Sequence, residues 1–111
     1  MTAPDPAPDA GAILQALADP TRRRMVEMLG RGPMSVSALA EPFDMSLTAI
    51  GQHLRVLEQC GLVTTQKIGR VRTCQLDVAG LDTLSRWIDG CRPEWHRRIE
   101  RLAALLGGEG G

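Results

Sequence analysis

The 111-residue sequence has no tyrosine, one phenylalanine, two tryptophans, two histidines, three cysteines and no long uncharged apolar run. Each shortage excludes something. A membrane-spanning helix takes about 18 consecutive apolar residues, and the N-terminus holds Pro and Asp where a secretory signal holds basic and apolar blocks. A cytoplasmic protein with no membrane partner is expected. Cys60, Cys74 and Cys91 are odd in number and widely spaced in a chain large enough to fold without staples, so reduced thiols are expected rather than a disulfide framework. His53 and His96 form no Ser/His/Asp set, and no phosphate-cradling glycine loop or close carboxylate pair is present. An enzyme is not expected, and no catalytic residue, metal or cofactor is assigned.

Net charge is also missing, since 13 Lys and Arg balance 13 Asp and Glu. Taken alone, that argues against a nucleic-acid binder, which usually needs a basic surface. Divided along the chain, the balance reads differently. Met1 to Asp19 carries three acids and no base, Pro20 to Arg72 carries eight bases and four acids, and Thr73 onward carries five bases and six acids. A basic middle is cancelled by acidic ends.

What is present suits one soluble domain: 43% hydrophobic and 23% charged residues, without internal repeats. Residues 1–11 are built of Ala, Pro, Asp and Gly, and residues 107–111 are nearly all Gly, so both are expected as flexible tails around a domain from Ala12 to Leu106. Ile13, Leu14, Leu17 and Ala18 predict a first helix. Asp19 and Pro20 cap and open a second, with Met25, Val26, Met28 and Leu29 on its apolar face until Gly30 and Gly32-Pro33 stop it. Ser35 caps a third, carrying Val36, Leu39 and Ala40 inward and broken by Pro42 and Asp44. Ser46 caps a fourth, in which Leu47, Ile50, Leu54 and Leu57 recur at helical spacing until Gly61.

A short helix, a turn of three or four residues and a longer helix make a helix-turn-helix, whose second helix can enter the DNA major groove. Leu62–Ile68 and Val71–Leu76 are rich in Val, Thr and Ile around Gly69-Arg70, which predicts a two-stranded β-hairpin and therefore a winged helix. From Val78 to Leu106, Leu81, Leu84, Trp87, Ile88, Trp95, Ile99, Leu102, Leu105 and Leu106 fall mostly at helical spacing, with Pro93 expected as a break or kink. The fold class is mainly α with a small β-hairpin, a dimeric winged helix-turn-helix.

Removing the core positions of the fourth helix leaves Thr48, Ala49, Gly51, Gln52 and Arg55, with Ser46 at their head. These are short side chains that let a helix approach, a Gln that can bond adenine, and an Arg for phosphate or guanine. Gln52 and Thr48 are the expected base contacts. Lys67, Arg70 and Arg72 cluster at the hairpin tip, suited to phosphate or the minor groove. Arg22, Arg23 and Arg24 read equally as phosphate contacts or as a solvated face. Trp87 and Trp95 are eight apart, which fits a dimer seam first and intrachain core second.

The runs Leu17-Ala18-Asp19-Pro20-Thr21-Arg22, Ser46-Leu47-Thr48-Ala49-Ile50-Gly51-Gln52-His53-Leu54-Arg55-Val56-Leu57-Glu58, Gly61-Leu62-Val63 and Gly69-Arg70 resemble the ArsR/SmtB family of bacterial winged-helix repressors. The resemblance spans about Ala12 to Leu106. It implies a homodimer built mainly from the first and last helices, here through Ile13, Leu17, Trp87, Trp95, Ile99 and Leu102. Such a dimer binds double-stranded DNA at an inverted-repeat operator and represses until a signal releases it.

The family's metal sites are not matched. Ser35-Val36-Ser37-Ala38-Leu39-Ala40-Glu41 has no Cys-x-Cys, and Asp89, His96 and Glu100 are not in the Asp-x-His arrangement. The sequence therefore resembles a metal-independent subgroup. His53 matches a family position and reads as a structural, hydrogen-bonded residue. Two alternatives stay open: a thiol- or thiophilic-metal-responsive repressor using Cys60 and Cys91, and a winged-helix protein-interaction module without DNA binding.

Overall fold

The computed structural model describes residues 8–107. Helix α1 (Ala10–Ala16) starts upstream of the expected domain edge because the Asp9 carboxylate caps it, accepting from the Ala12 N–H at 3.2 Å. Helix α2 (Pro20–Leu29) opens as expected, with Asp19 accepting from the Arg22 N–H at 2.9 Å and Pro20 in the first turn, where its missing N–H costs nothing. Strand β1 (Met34–Ser35) leads into α3 (Val36–Ala40), capped by the Ser35 hydroxyl. Helix α4 (Leu47–Gln59) follows, then β2 (Val63–Ile68), β3 (Val71–Leu76) and α5 (Val78–Leu105).

Four expectations about elements are corrected. The sheet has three strands in the order β1-β3-β2, because Met34 and Ser35 pair antiparallel with Cys74 and Thr73. The connection between α3 and α4 runs from Glu41 to Ser46, longer than a three- or four-residue turn, since Pro42 ends α3 before the Ser46 cap is reached. Pro93 does not break α5, which continues through it to Leu105. A proline at that position has no N–H for the Asp89 carbonyl, and the long stretches on either side carry the helix past it.

The fourth concerns Leu47, which shares the helical spacing of the core positions Ile50, Leu54 and Leu57 but is 67% exposed at the start of α4. A period marks the apolar side of a helix, and on that side of α4 it is Ile50, Leu54 and Leu57 that are buried. That core also holds Ile13, Met25, Leu29, Leu39, Leu62, Val63 and Cys74. It ties α1, α2, α3 and α4 to the base of the hairpin.

Two glycines fix the corner between α4 and α5. Gly61 takes the left-handed conformation (φ 83°) that ends α4, and a Cβ on Gly80 would fall on the Gly61 carbonyl oxygen. The Asp77 N–H donates to the Leu62 carbonyl at 2.8 Å. The start of α5 is therefore locked to the end of α4. Beyond Leu84, every described residue of α5 is exposed, including Trp87, Ile88, Trp95, Ile99, Leu102 and Leu105. The helix, about 42 Å long by its residue count, projects from the body. The radius of gyration is accordingly 18.9 Å, against about 13 Å for a compact chain of this length.

Candidate nucleic-acid interface

Ser46 sets the start of the recognition helix, its hydroxyl accepting from the Ala49 N–H at 3.1 Å while its own O–H is left to donate outward. Thr48, Gly51, Gln52 and Arg55 are exposed and Ala49 is half-buried, so the structure brings the predicted contact residues onto one face of α4. Nothing lies within 4 Å of where a Cβ of Gly51 would stand. A shallow face results, polar but for the exposed Leu47 at its head.

Helix α4 is held in place by a polar junction. The Arg22 Nε–H donates to the Ala16 carbonyl at 2.7 Å and its Nη1 to His53 Nδ1 at 3.2 Å. Because a guanidinium only donates, this contact is a hydrogen bond in the state where Nδ1 carries no proton. Arg22 thus joins the end of α1, the start of α2 and the middle of α4. Arg23 bonds the carbonyls of Leu17 at 2.9 Å and Ala18 at 3.3 Å, and Arg24 stacks 5.4 Å from the centre of the Phe43 ring. The arginine run divides by residue: Arg22 is half-buried, and Arg23 and Arg24 are exposed with local partners. The Asp19 carboxyl is held below its usual range, first by the Arg22 backbone N–H and then by the charges of Arg22 and His53.

At the wing, β2 and β3 pair from Val63 with Leu76 to Ile68 with Val71. Gly69 (φ 64°) takes the first position of the turn, and Arg70 keeps negative φ, the pattern of a hairpin turn with Gly leading. Lys67 and Arg72 stand directly opposite each other on exposed strand ends, with Arg70 at the tip. Like charges placed across a strand pair repel. Among the described residues, only the contact of Arg72 Nη2 with Thr65 Oγ1, at 3.5 Å, engages one of the three. An anion between the strands would relieve that repulsion.

The thiols and the expected seam residues sort by burial. Cys60 is 7% exposed, its thiol bonded to the Leu57 carbonyl at 3.4 Å and pushed up in pKa by burial. Cys74 is fully buried and likewise raised by burial. Since the thiolate is the reactive form, both behave as core residues, and Cys91 on α5 is the exposed thiol. Ile13 is fully buried in its own core and cannot also face a partner; the exposed apolar residue of α1 is Leu14, with Leu17 half-buried. Trp87 and Trp95 are not intrachain core, being exposed beside Ile99 and Leu102. Among the described residues, no three His, Cys, Asp or Glu side chains gather as metal ligands, and no helix is long and apolar enough to cross a membrane.

The signal that sequence reasoning missed is the pairing of Arg22 with His53, two polar residues 31 apart whose meeting no local pattern announces. Leu47 was missed as a surface residue because its spacing matches the core positions. A recognition helix behind a turn, a basic hairpin and an apolar projecting helix define a winged helix-turn-helix DNA-binding protein.

The family model described as "Helix-turn-helix domain" matches residues 17–66. The chain is 42% identical over 96 residues to the HTH-type transcriptional regulator Rv2034 of Mycobacterium tuberculosis, covering 86% of this chain and 87% of that protein. An arsenical resistance operon repressor of Staphylococcus xylosus is 31% identical, over 73% of this chain and 78% of its own. The crystal structure of an ArsR family transcriptional regulator superposes with a TM-score of 0.71 at 43% identity, covering 78% of this chain and 89% of that one. A homodimeric winged helix-turn-helix DNA-binding domain from Mycobacterium bovis gives a TM-score of 0.59 at 25% identity, over 82% of both chains.

The chain belongs to the ArsR/SmtB family of winged helix-turn-helix transcriptional regulators. It is a DNA-binding regulator of the repressor type and not an enzyme.

Proposed function

We propose that the protein works as a cytoplasmic homodimer that represses from an inverted-repeat operator and is released by a signal other than a metal bound at the family's ligand sets. The observation that carries the dimer is the apolar face of α5, where Trp95 is 60% and Leu102 57% exposed. A row of large apolar side chains on a projecting helix is costly in water unless a second surface covers it. A two-fold partner would present α4 twice, with half-sites one helical turn, about 34 Å, apart. Thr48 and Gln52 would face base edges in this arrangement. Ser46, Ala49 and Arg55 would follow the backbone or neighbouring bases, and Lys67, Arg70 and Arg72 would lie along phosphates.

The metal-independent reading is supported by the α3 segment, which offers neither thiol nor imidazole, and by Asp89, His96 and Glu100, which lie outside the Asp-x-His spacing. Of the two thiols in the thiol-responsive alternative, Cys91 is the exposed one and Cys60 is buried. Selection of bound duplexes from a random pool, followed by fluorescence anisotropy, tests the operator. An inverted repeat bound by the dimer with salt-sensitive affinity is expected. Retained dimerisation without any sequence preference would instead favour a protein-interaction module.

A further inference from the structure

The recognition face contains one large apolar side chain that the core does not use. Leu47 opens α4, directly after the Ser46 cap, and stands 67% exposed. Its neighbour one turn further on is Gly51, beside which there is open space. Leu47 and Gly51, four apart on α4, therefore form an apolar step, a ridge followed by a hollow, with Thr48 and Arg55 next to Gly51 by helical spacing. The first turn of the second helix in a helix-turn-helix is the part that reaches base edges. In the major groove, those edges offer hydrogen-bond donors, acceptors and a single apolar group, the 5-methyl of thymine. An isobutyl side chain can make no hydrogen bond, so the methyl is the base feature it can favour.

We propose that Leu47 is a specificity-determining residue that packs against a thymine 5-methyl group in each half-site, with the hollow at Gly51 giving the methyl room. The proposal rests on the DNA-binding reading above and adds a base and an atom to it. Leu47 acts by shape and apolar contact, and Gln52 by hydrogen bonding, so the two discriminate at different base pairs. Exposure also makes the position testable, because truncating a side chain that the core does not touch leaves the fold intact.

The test uses the selected operator with each thymine replaced in turn, in both half-sites, by deoxyuridine, which removes only the methyl. For the wild-type protein, one position is expected to weaken binding about fourfold per half-site, the worth of one buried methyl. Leu47→Ala should bind the thymine operator more weakly and lose sensitivity to the methyl at that position alone. Leu47→Met, which keeps the apolar bulk, should retain it. Wild-type indifference to every methyl, or unchanged methyl sensitivity in Leu47→Ala, overturns the assignment while leaving sequence-specific binding standing. Absence of any sequence-preferring binding overturns the DNA-binding reading itself, and this assignment with it.

Discussion

At the scale of single residues, Asp19 and Arg22 decide how α2 meets the recognition helix. The Asp19 carboxyl caps α2 and has its pKa lowered, chiefly by the Arg22 backbone N–H and then by the Arg22 and His53 charges. A carboxyl depressed in the folded state stabilises fully above its unfolded pKa, and that contribution is lost as the pH falls through the lower folded value. Asp19→Ala should therefore cost about 1 kcal/mol near neutral pH, the ordinary worth of an N-cap. Asp19→Asn should keep most of the cap and show a flatter loss of stability below about pH 4. Urea unfolding at several pH values checks both; an acid limb as steep in Asp19→Asn as in the wild type would contradict the role. Much of this scale was legible, since Asp19-Pro20 announces a capped helix. The Arg22 partner was not legible, because its bonds to Ala16 and His53 depend on how three helices pack.

Among the elements, α5 departs furthest from local expectation. Proline inside a helix removes a hydrogen bond and crowds the carbonyl four residues back, and Pro93 sits midway along a helix of 28 residues. Its flanking ion pairs, Arg92 with Asp89 and Arg98 with Glu94, are both 3.9 Å long and solvent-exposed, so they contribute little. Pro93→Ala should then raise stability, by up to about 3 kcal/mol for a fully helical position, with greater helicity by circular dichroism. An unchanged midpoint would mean that the helix is already relaxed around the ring. The type of each long element was readable from its period and its caps. The two-residue β1 was not, because so short a strand exists only through pairing with Cys74 and Thr73. Periodicity likewise put Leu47 in the apolar stripe of α4, and the family resemblance put Ile13 at the seam; neither says which apolar side chains the chain's own core takes up.

The whole molecule joins a basic reading head to an acidic-ended chain, which is why its total charge is zero. The +4 between Pro20 and Arg72 is modest, so long-range attraction to DNA is weak and affinity has to come from local contacts made twice. For the proposed homodimer, dimerisation is then a condition of binding. Leu102→Glu places a charge in the exposed apolar row of α5, away from the core, and should give a folded monomer by analytical ultracentrifugation with operator affinity greatly reduced. A monomer that bound the operator as tightly as the wild type would show that the seam lies elsewhere.

The central claim is that α4 reads bases while the wing grips the backbone. Anisotropy titrations of Gln52→Ala and Arg70→Ala, each on the selected operator and on a scrambled duplex, test it most directly. Gln52→Ala should lose about 1–3 kcal/mol on the operator and little on the scrambled duplex, whereas Arg70→Ala should weaken both alike and lower the salt dependence. Equal losses on both duplexes for both variants would contradict the account.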